Sequence, residues 1–117
     1  MPLYKITDWG FADGTVSTES VTPTLAIKSA IMNYGAVGAG IACDDAFQNI
    51  QPGTVFSGSG ATAIDHDIIL IGWDDTKKAW LLRNSWGPQW GDQGYCWIAY
   101  GANCVGTEAV WCEVTGV

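Results

Sequence analysis

The sequence predicts an α+β fold that is mostly β, an antiparallel barrel-like sheet of five or six strands with one main helix. Three observations predict it. Helical spacing occurs once, in Ile27, Ala30, Ile31 and Tyr34. Short apolar runs follow at Ile64 to Trp73, Trp80 to Arg83, Tyr95 to Tyr100 and Ala109 to Val114, separated by turn residues such as Asp74-Asp75-Thr76-Lys77 and by the glycine-rich stretch Gly87 to Gly94. The composition, 48% hydrophobic with seven tryptophans in 117 residues, suits a single modest core, and no repeat or linker divides residues 1–117 into more than one domain.

Taken in order, Tyr4 and Ile6 alternate with Lys5 and Thr7 and read as a short strand, closed by Gly10 and Gly14, with Trp9 packed at its end. Val16 to Val21 is polar and rich in Ser and Thr, a loop. Thr22 before Pro23 has the form of an N-cap followed by proline at the first helical position, and Gly35 supplies the stop, so the helix runs from Pro23 to Tyr34 with its apolar face in the core. The small and branched residues Ala36 to Ala42 suit a strand. Glycines at 38 and 40 leave one side of it bare, which fits either a bulge or the close approach of another group. Asp44 to Ala63 is polar and glycine-rich and reads as a mobile loop.

Charge and cysteine content exclude several functions. A net charge of −7 with five Lys and Arg gives no surface that could track phosphates, so nucleic acid is excluded and a cationic or neutral partner fits better. The longest aliphatic run, Ile68 to Ile71, is far short of the ~20 residues of a membrane span. Met1 to Lys5 lacks the regions of a secretory signal, which suggests that the chain is not exported by itself or is a piece of something longer. Cys43, Cys96, Cys104 and Cys112 lack the close pairs of a metal site, so no metal is expected. One or two disulfides in an oxidising compartment and reduced core thiols elsewhere are both open.

The chemistry gathers around the only histidine, His66. A histidine acting as a base needs a partner that fixes its tautomer and holds its ring, and the side-chain amide of Asn84 can accept the ring N–H. Trp86 is large enough to cover such a contact and keep water away. The string Asn84-Ser85-Trp86-Gly87, then Trp90-Gly91, then Gly94-Tyr95, preceded by Asp65-His66 opening an apolar run, closely resembles the papain family of cysteine peptidases. Ile27 to Ile41 resembles that family's helix and following strand, Asp65 to Asp75 its histidine strand, and Ala79 to Gly87 the strand that carries the asparagine. Nearly the whole chain is covered, but only by the C-terminal half of such a peptidase, the right-hand half of the papain fold. No counterpart of the family's nucleophilic cysteine, or of the glutamine that helps to bind the oxyanion, precedes Tyr4.

The resemblance implies that His66 and Asn84 are catalytic, that Trp86 shields their contact, and that Asp65 tunes the local charge. It places Gly40 and Ile64 on two walls of the pocket that selects the substrate's main specificity side chain, with Trp90 also on the substrate side, and anchors Val55 and Phe56 on the core. It implies a peptide substrate, no cofactor, and a partner: a cysteine-bearing N-terminal half, a second polypeptide, or another copy of the chain. It leans towards an extracellular or lysosome-like compartment. Two residues depart from the pattern: Asp67 stands where the family has a small apolar residue, and Ala36 where it has proline. Cys96 lies between Tyr95 and Trp97 in a strand and Cys43 precedes Asp44 and Asp45, settings that do not activate a thiol, and Cys104 and Cys112 sit in the closing segment, where they pair or pack, so the chain alone is expected to be inert. The rival reading is a non-catalytic binding or structural module that retains the barrel.

Overall fold

In a computed structural model, residues 3–14 and 20–116 are described. The elements run β1 (Tyr4–Phe11), α1 (Thr24–Tyr34), β2 (Val37–Ile41), α2 (Asp45–Gln48), β3 (Val55–Phe56), β4 (His66–Asp74), β5 (Ala79–Arg83), β6 (Tyr95–Ala99), a 3-10 turn (Ala102–Cys104) and β7 (Thr107–Gly116). The fold is mostly β with one main helix. Most of the polar stretch 16–21 expected as a loop before that helix, residues 16–19, lies outside the described residues.

All seven strands join one sheet in the order β1-β7-β2-β4-β5-β6-β3. This corrects the expected barrel and the expected five or six strands. The sheet ends at β1 on one side and β3 on the other and does not close on itself. β3 was missed because a strand of two residues shows no alternation, and it lies parallel to β6, with Val55 opposite Trp97 and Phe56 opposite Ile98. Only Phe56 of the pair packs against the core.

α1 forms where its spacing predicts and buries Ile27, Ala30 and Ile31. Gly35 ends it in the left-handed conformation at φ 91°, and its N–H donates to the Ile31 carbonyl. The expected cap does not form: Pro23 takes the cap position, and the buried Thr22 hydroxyl instead accepts from the Ala109 N–H at 3.0 Å, tying the entry of the helix to β7. Midway along, the helix is fastened by Lys28, whose Nζ lies 2.7 Å from Asp75 in the β4–β5 turn and 5.2 Å from the Tyr100 ring centroid.

The expected mobile loop after β2 is partly ordered. Asp44 caps α2 by accepting from the Phe47 N–H at 3.0 Å, which directs Phe47 into the core. The Ser-Gly stretch is held by the buried Asn103. Its Oδ1 accepts from the Ser59 N–H at 2.9 Å, its Nδ2 donates to the Ala42 carbonyl at 3.0 Å, and the Ser59 hydroxyl donates to Asp44. These bonds hold the Asp44 carboxyl below the usual carboxylate range, the Ser59 hydroxyl contributing most.

The pairing of β2 with β4 decides which side chains meet. Val37, Ala39 and Ile41 face Leu70, Ile68 and His66 on the core side, while Gly38 and Gly40 stand opposite Ile69 and Asp67 on the other.

Candidate active site

His66 opens β4, and Asn84 follows the last residue of β5, so two neighbouring antiparallel strands bring their ends together. The His66 Nε2 lies 2.9 Å from the Asn84 Oδ1. The same oxygen accepts from the Ser85 N–H at 2.8 Å. A backbone N–H can only donate, so the atom that receives it is the oxygen of the amide, and the imidazole must present Nε2–H to it. That fixes the neutral tautomer and leaves Nδ1 with its lone pair as the atom able to take or give a proton. Asn84 is 7% exposed, and its Nδ2 is buried without a hydrogen-bond partner among the described residues.

Asn84 is itself held by the glycine turn that follows it. The Asn84 N–H donates to the Gly94 carbonyl at 3.0 Å, and the Gly94 N–H donates to the Trp90 carbonyl at 2.8 Å. Gly91 sits at φ +56°, and a Cβ there would lie 2.5 Å from the Tyr95 carbonyl oxygen, so this turn closes only with glycine at that place.

Aromatic rings enclose the pair. Trp86 stacks on His66 with centroids 4.7 Å apart and planes 24° from parallel, and it is 40% exposed. Beneath it lies Phe47, wholly buried, with its centroid 5.9 Å from Trp86, 6.3 Å from His66 and 5.2 Å from Trp90. The Trp90 indole N–H donates to the Phe47 carbonyl at 3.3 Å. Trp90, expected on the substrate side, is only 7% exposed and supports this cluster from within. Sequence reasoning missed Phe47 because it lies in the stretch read as a loop. The one signal was Asp44 three residues before it, a spacing that caps a helix.

Asp65 faces a backbone group: its Oδ1 accepts from the Cys43 N–H at 2.8 Å, joining the end of β2 to the start of the histidine strand. Gly40 and Ile64 lie together, but on the opposite side of the sheet from the His66 ring, in a cavity that also takes in Asp67. All four cysteines are unpaired. Burial pushes the Cys96 thiol up to about 12, and burial together with the Asp65 charge raises Cys43. Neither thiol is activated. Among the described residues no group of His, Cys, Asp and Glu could hold a metal ion, and no helix is long and apolar enough to cross a membrane.

Comparison with known proteins places this geometry. Residues 9–114 match a family model described as papain family cysteine protease. The cathepsin B-like cysteine proteinase 2 of Haemonchus contortus is 32% identical over 108 residues, 91% of this chain and 31% of that protein. The germination-specific cysteine protease 1 of Arabidopsis thaliana is 41% identical over 73 residues, 60% of this chain and 19% of that protein. Among solved structures, the CMS1MS2 cysteine protease of Carica candamarcensis, bound to E-64, superposes with a TM-score of 0.73 at 27% identity, over 93% of this chain and 49% of that one. The bromelain protease of Ananas comosus gives the same TM-score at 22% identity over 92% of this chain and 50% of that one, a likeness of fold. The chain spans about half the length of these solved structures and less than a third of the curated relatives named.

Proposed function

The chain belongs to the papain family of cysteine proteases, and from that premise we propose that it is the C-terminal, histidine- and asparagine-bearing portion of a cysteine peptidase whose nucleophile comes from a cysteine-bearing half. The observation that carries the proposal is the 2.9 Å contact of His66 Nε2 with Asn84 Oδ1 beneath the stacked Trp86 ring.

In the proposed reaction the Nδ1 of His66 takes the proton of the partner's cysteine, giving a thiolate and imidazolium pair. The sulfur attacks the scissile carbonyl carbon. When the C–N bond breaks, the imidazolium gives its proton to the departing amine and a thioester remains. His66 then removes a proton from water as the water's oxygen attacks the thioester. The acid leaves, the C–S bond breaks and the thiolate returns. Asn84 keeps the ring aimed through both steps by accepting from Nε2–H in either charge state, and Trp86 excludes water from that bond.

Two further observations support a partner. The Cys43 and Cys96 thiols are raised, the wrong direction for a nucleophile. The side of the sheet away from the helix carries a cavity of about 450 Å3 lined by Ile6, Trp9, Gly38, Ile69, Val110 and Cys112, an apolar surface of the kind that a second half covers.

The test compares the chain alone with the chain assembled with a cysteine-bearing half, using a fluorogenic peptide and an electrophilic peptide inhibitor. The expected result is neither turnover nor labelling by the chain alone, and turnover by the assembly that His66→Ala abolishes. Turnover by the chain alone that depends on His66 would make one of its own cysteines the nucleophile. An assembly that binds peptide without cleaving it would favour the non-catalytic module.

A further inference from the structure

The cavity that holds Gly40 and Ile64 also contains a charge that the proposed mechanism does not use. It measures about 230 Å3, and its lining includes Gly38, Gly40, Ile64, Asp67, Glu108 and Val110. That is room for one side chain rather than a whole small molecule, which needs roughly 300 Å3 or more. A Cβ on Gly40 would lie 2.8 Å from the Ile64 Cγ2, so glycine keeps this wall clear. Asp67 stands directly across from Gly40 in the β2–β4 pairing and is the residue after His66. Its carboxylate therefore rises over a position with no side chain, within one residue of the proposed base.

Asp67 is solvent-exposed, and among the described residues no side chain bonds to its carboxylate. Arg83 borders a neighbouring cavity with it, but the guanidinium lies over the Tyr95 ring at 6.0 Å. Lys28 and Lys77 are each engaged by an aspartate of the β4–β5 turn. The cavity thus combines the Asp67 carboxylate with apolar walls from Ile64 and Val110. A lysine or arginine side chain matches this set, because its aliphatic stem packs on apolar surface while its charged end reaches an anion.

We infer that this cavity selects a cationic side chain, lysine or arginine, of the peptide substrate, with Asp67 as the specificity-determining residue. The inference rests on the peptidase reading and adds the substrate class to it. Asp67 directly follows His66 on β4 and also borders a neighbouring cavity that Asn84 lines, so the preference falls on a single substrate position within about two residues of the bond cut. The chain's net charge of −7 also draws cationic peptides towards the site.

The experiment uses the full-length protein, or this chain assembled with its cysteine-bearing half, and a fluorogenic peptide library in which each position near the scissile bond is varied in turn. The expected result is a preference for arginine or lysine over leucine at one position of about five- to ten-fold in kcat/KM, modest because the carboxylate is exposed. In Asp67→Asn the ratio of arginine to leucine falls towards one, and in Asp67→Lys it inverts. If either variant fails to fold, the wild-type ratio is followed from low to molar salt, where screening should bring it towards one. Equal or greater use of leucine by the wild type, or a ratio that neither Asp67→Asn nor salt changes, overturns the inference and leaves the peptidase reading intact. Cleavage of no peptide by the assembled protein overturns the peptidase reading, and this one with it.

Discussion

Phe47→Ala is the most informative single perturbation of the site. Phe47 is wholly buried and touches four rings, Phe56, His66, Trp86 and Trp90, at centroid distances of 6.1, 6.3, 5.9 and 5.2 Å. Truncating a buried phenylalanine costs about 3–5 kcal/mol, from lost transfer energy and the cavity left behind. The upper half of that range is expected here, because each edge-to-face or tilted pair contributes about 0.5–1.5 kcal/mol beyond burial and several are lost together, though not additively. The Trp90 indole bond ends on the Phe47 backbone carbonyl, so it survives the substitution and limits collapse of the neighbouring strand. With a urea m-value of about 2 kcal/mol per molar for a chain this size, a loss of about 4 kcal/mol lowers the unfolding midpoint by about 2 M. Phe47→Leu, which keeps most of the volume and loses the ring, should cost distinctly less. Because Phe47 supports the Trp86 and His66 rings, Phe47→Ala should also move their ring-proton resonances. A loss under about 1 kcal/mol, or unmoved His66 and Trp86 resonances, would refute the view that this buried ring holds the site together.

Three further predictions concern charge and hydrogen bonding. Asn84→Ala removes the acceptor shared by the His66 ring and the Ser85 N–H, so nitrogen NMR of His66 should show Nε2–H in the wild type and a mixture of tautomers in the variant, with a stability loss on the order of 1–3 kcal/mol. Ser59→Ala removes the hydroxyl that contributes most to lowering the Asp44 carboxyl. A lowered folded value stabilises the protein above the ordinary carboxylate range, and that contribution is lost as pH falls through the lowered value, so the wild type should exceed Ser59→Ala in urea resistance at about pH 7 and converge with it below about pH 4. In native protein at neutral pH, alkylation followed by mass spectrometry should reach the exposed Cys112 first and Cys96 last. Cys96 is buried, with its thiol pushed up to about 12.

Features encoded within a few residues were legible in the sequence. α1 follows from the spacing of Ile27, Ala30 and Ile31 and the stop at Gly35, and the meeting of His66 with Asn84 follows from a motif whose glycines shape one turn. Three features were not legible because they depend on distant partners. Thr22 has the composition of a cap, yet its hydroxyl is claimed by Ala109 on β7. α2 and β3 are too short to show a period, and their side chains are ordered by Phe47 packing and by pairing with β6. Whether the sheet closes is set by where its edge strands lie: β1 pairs with β7 and leaves β3 at the far side, an arrangement that no local pattern in either strand encodes.

The order of the strands also bears on how the molecule assembles in time. β4, β5 and β6 follow one another in the chain and lie side by side, so His66, Asn84 and Trp86 are brought together by contacts close in sequence. β1 reaches its partner only when Tyr4 meets Gly116, almost the full length of the chain away. Closing so long a loop is entropically slow, whereas a meander with short connections can nucleate early. The corner that holds His66 and Asn84 should therefore acquire its geometry while the outer edge of the sheet is still unzipped. In pulse-labelled hydrogen exchange during refolding, amides of β4 to β6 should gain protection before those of β1, and protection appearing first in β1 and β7 would reverse that order.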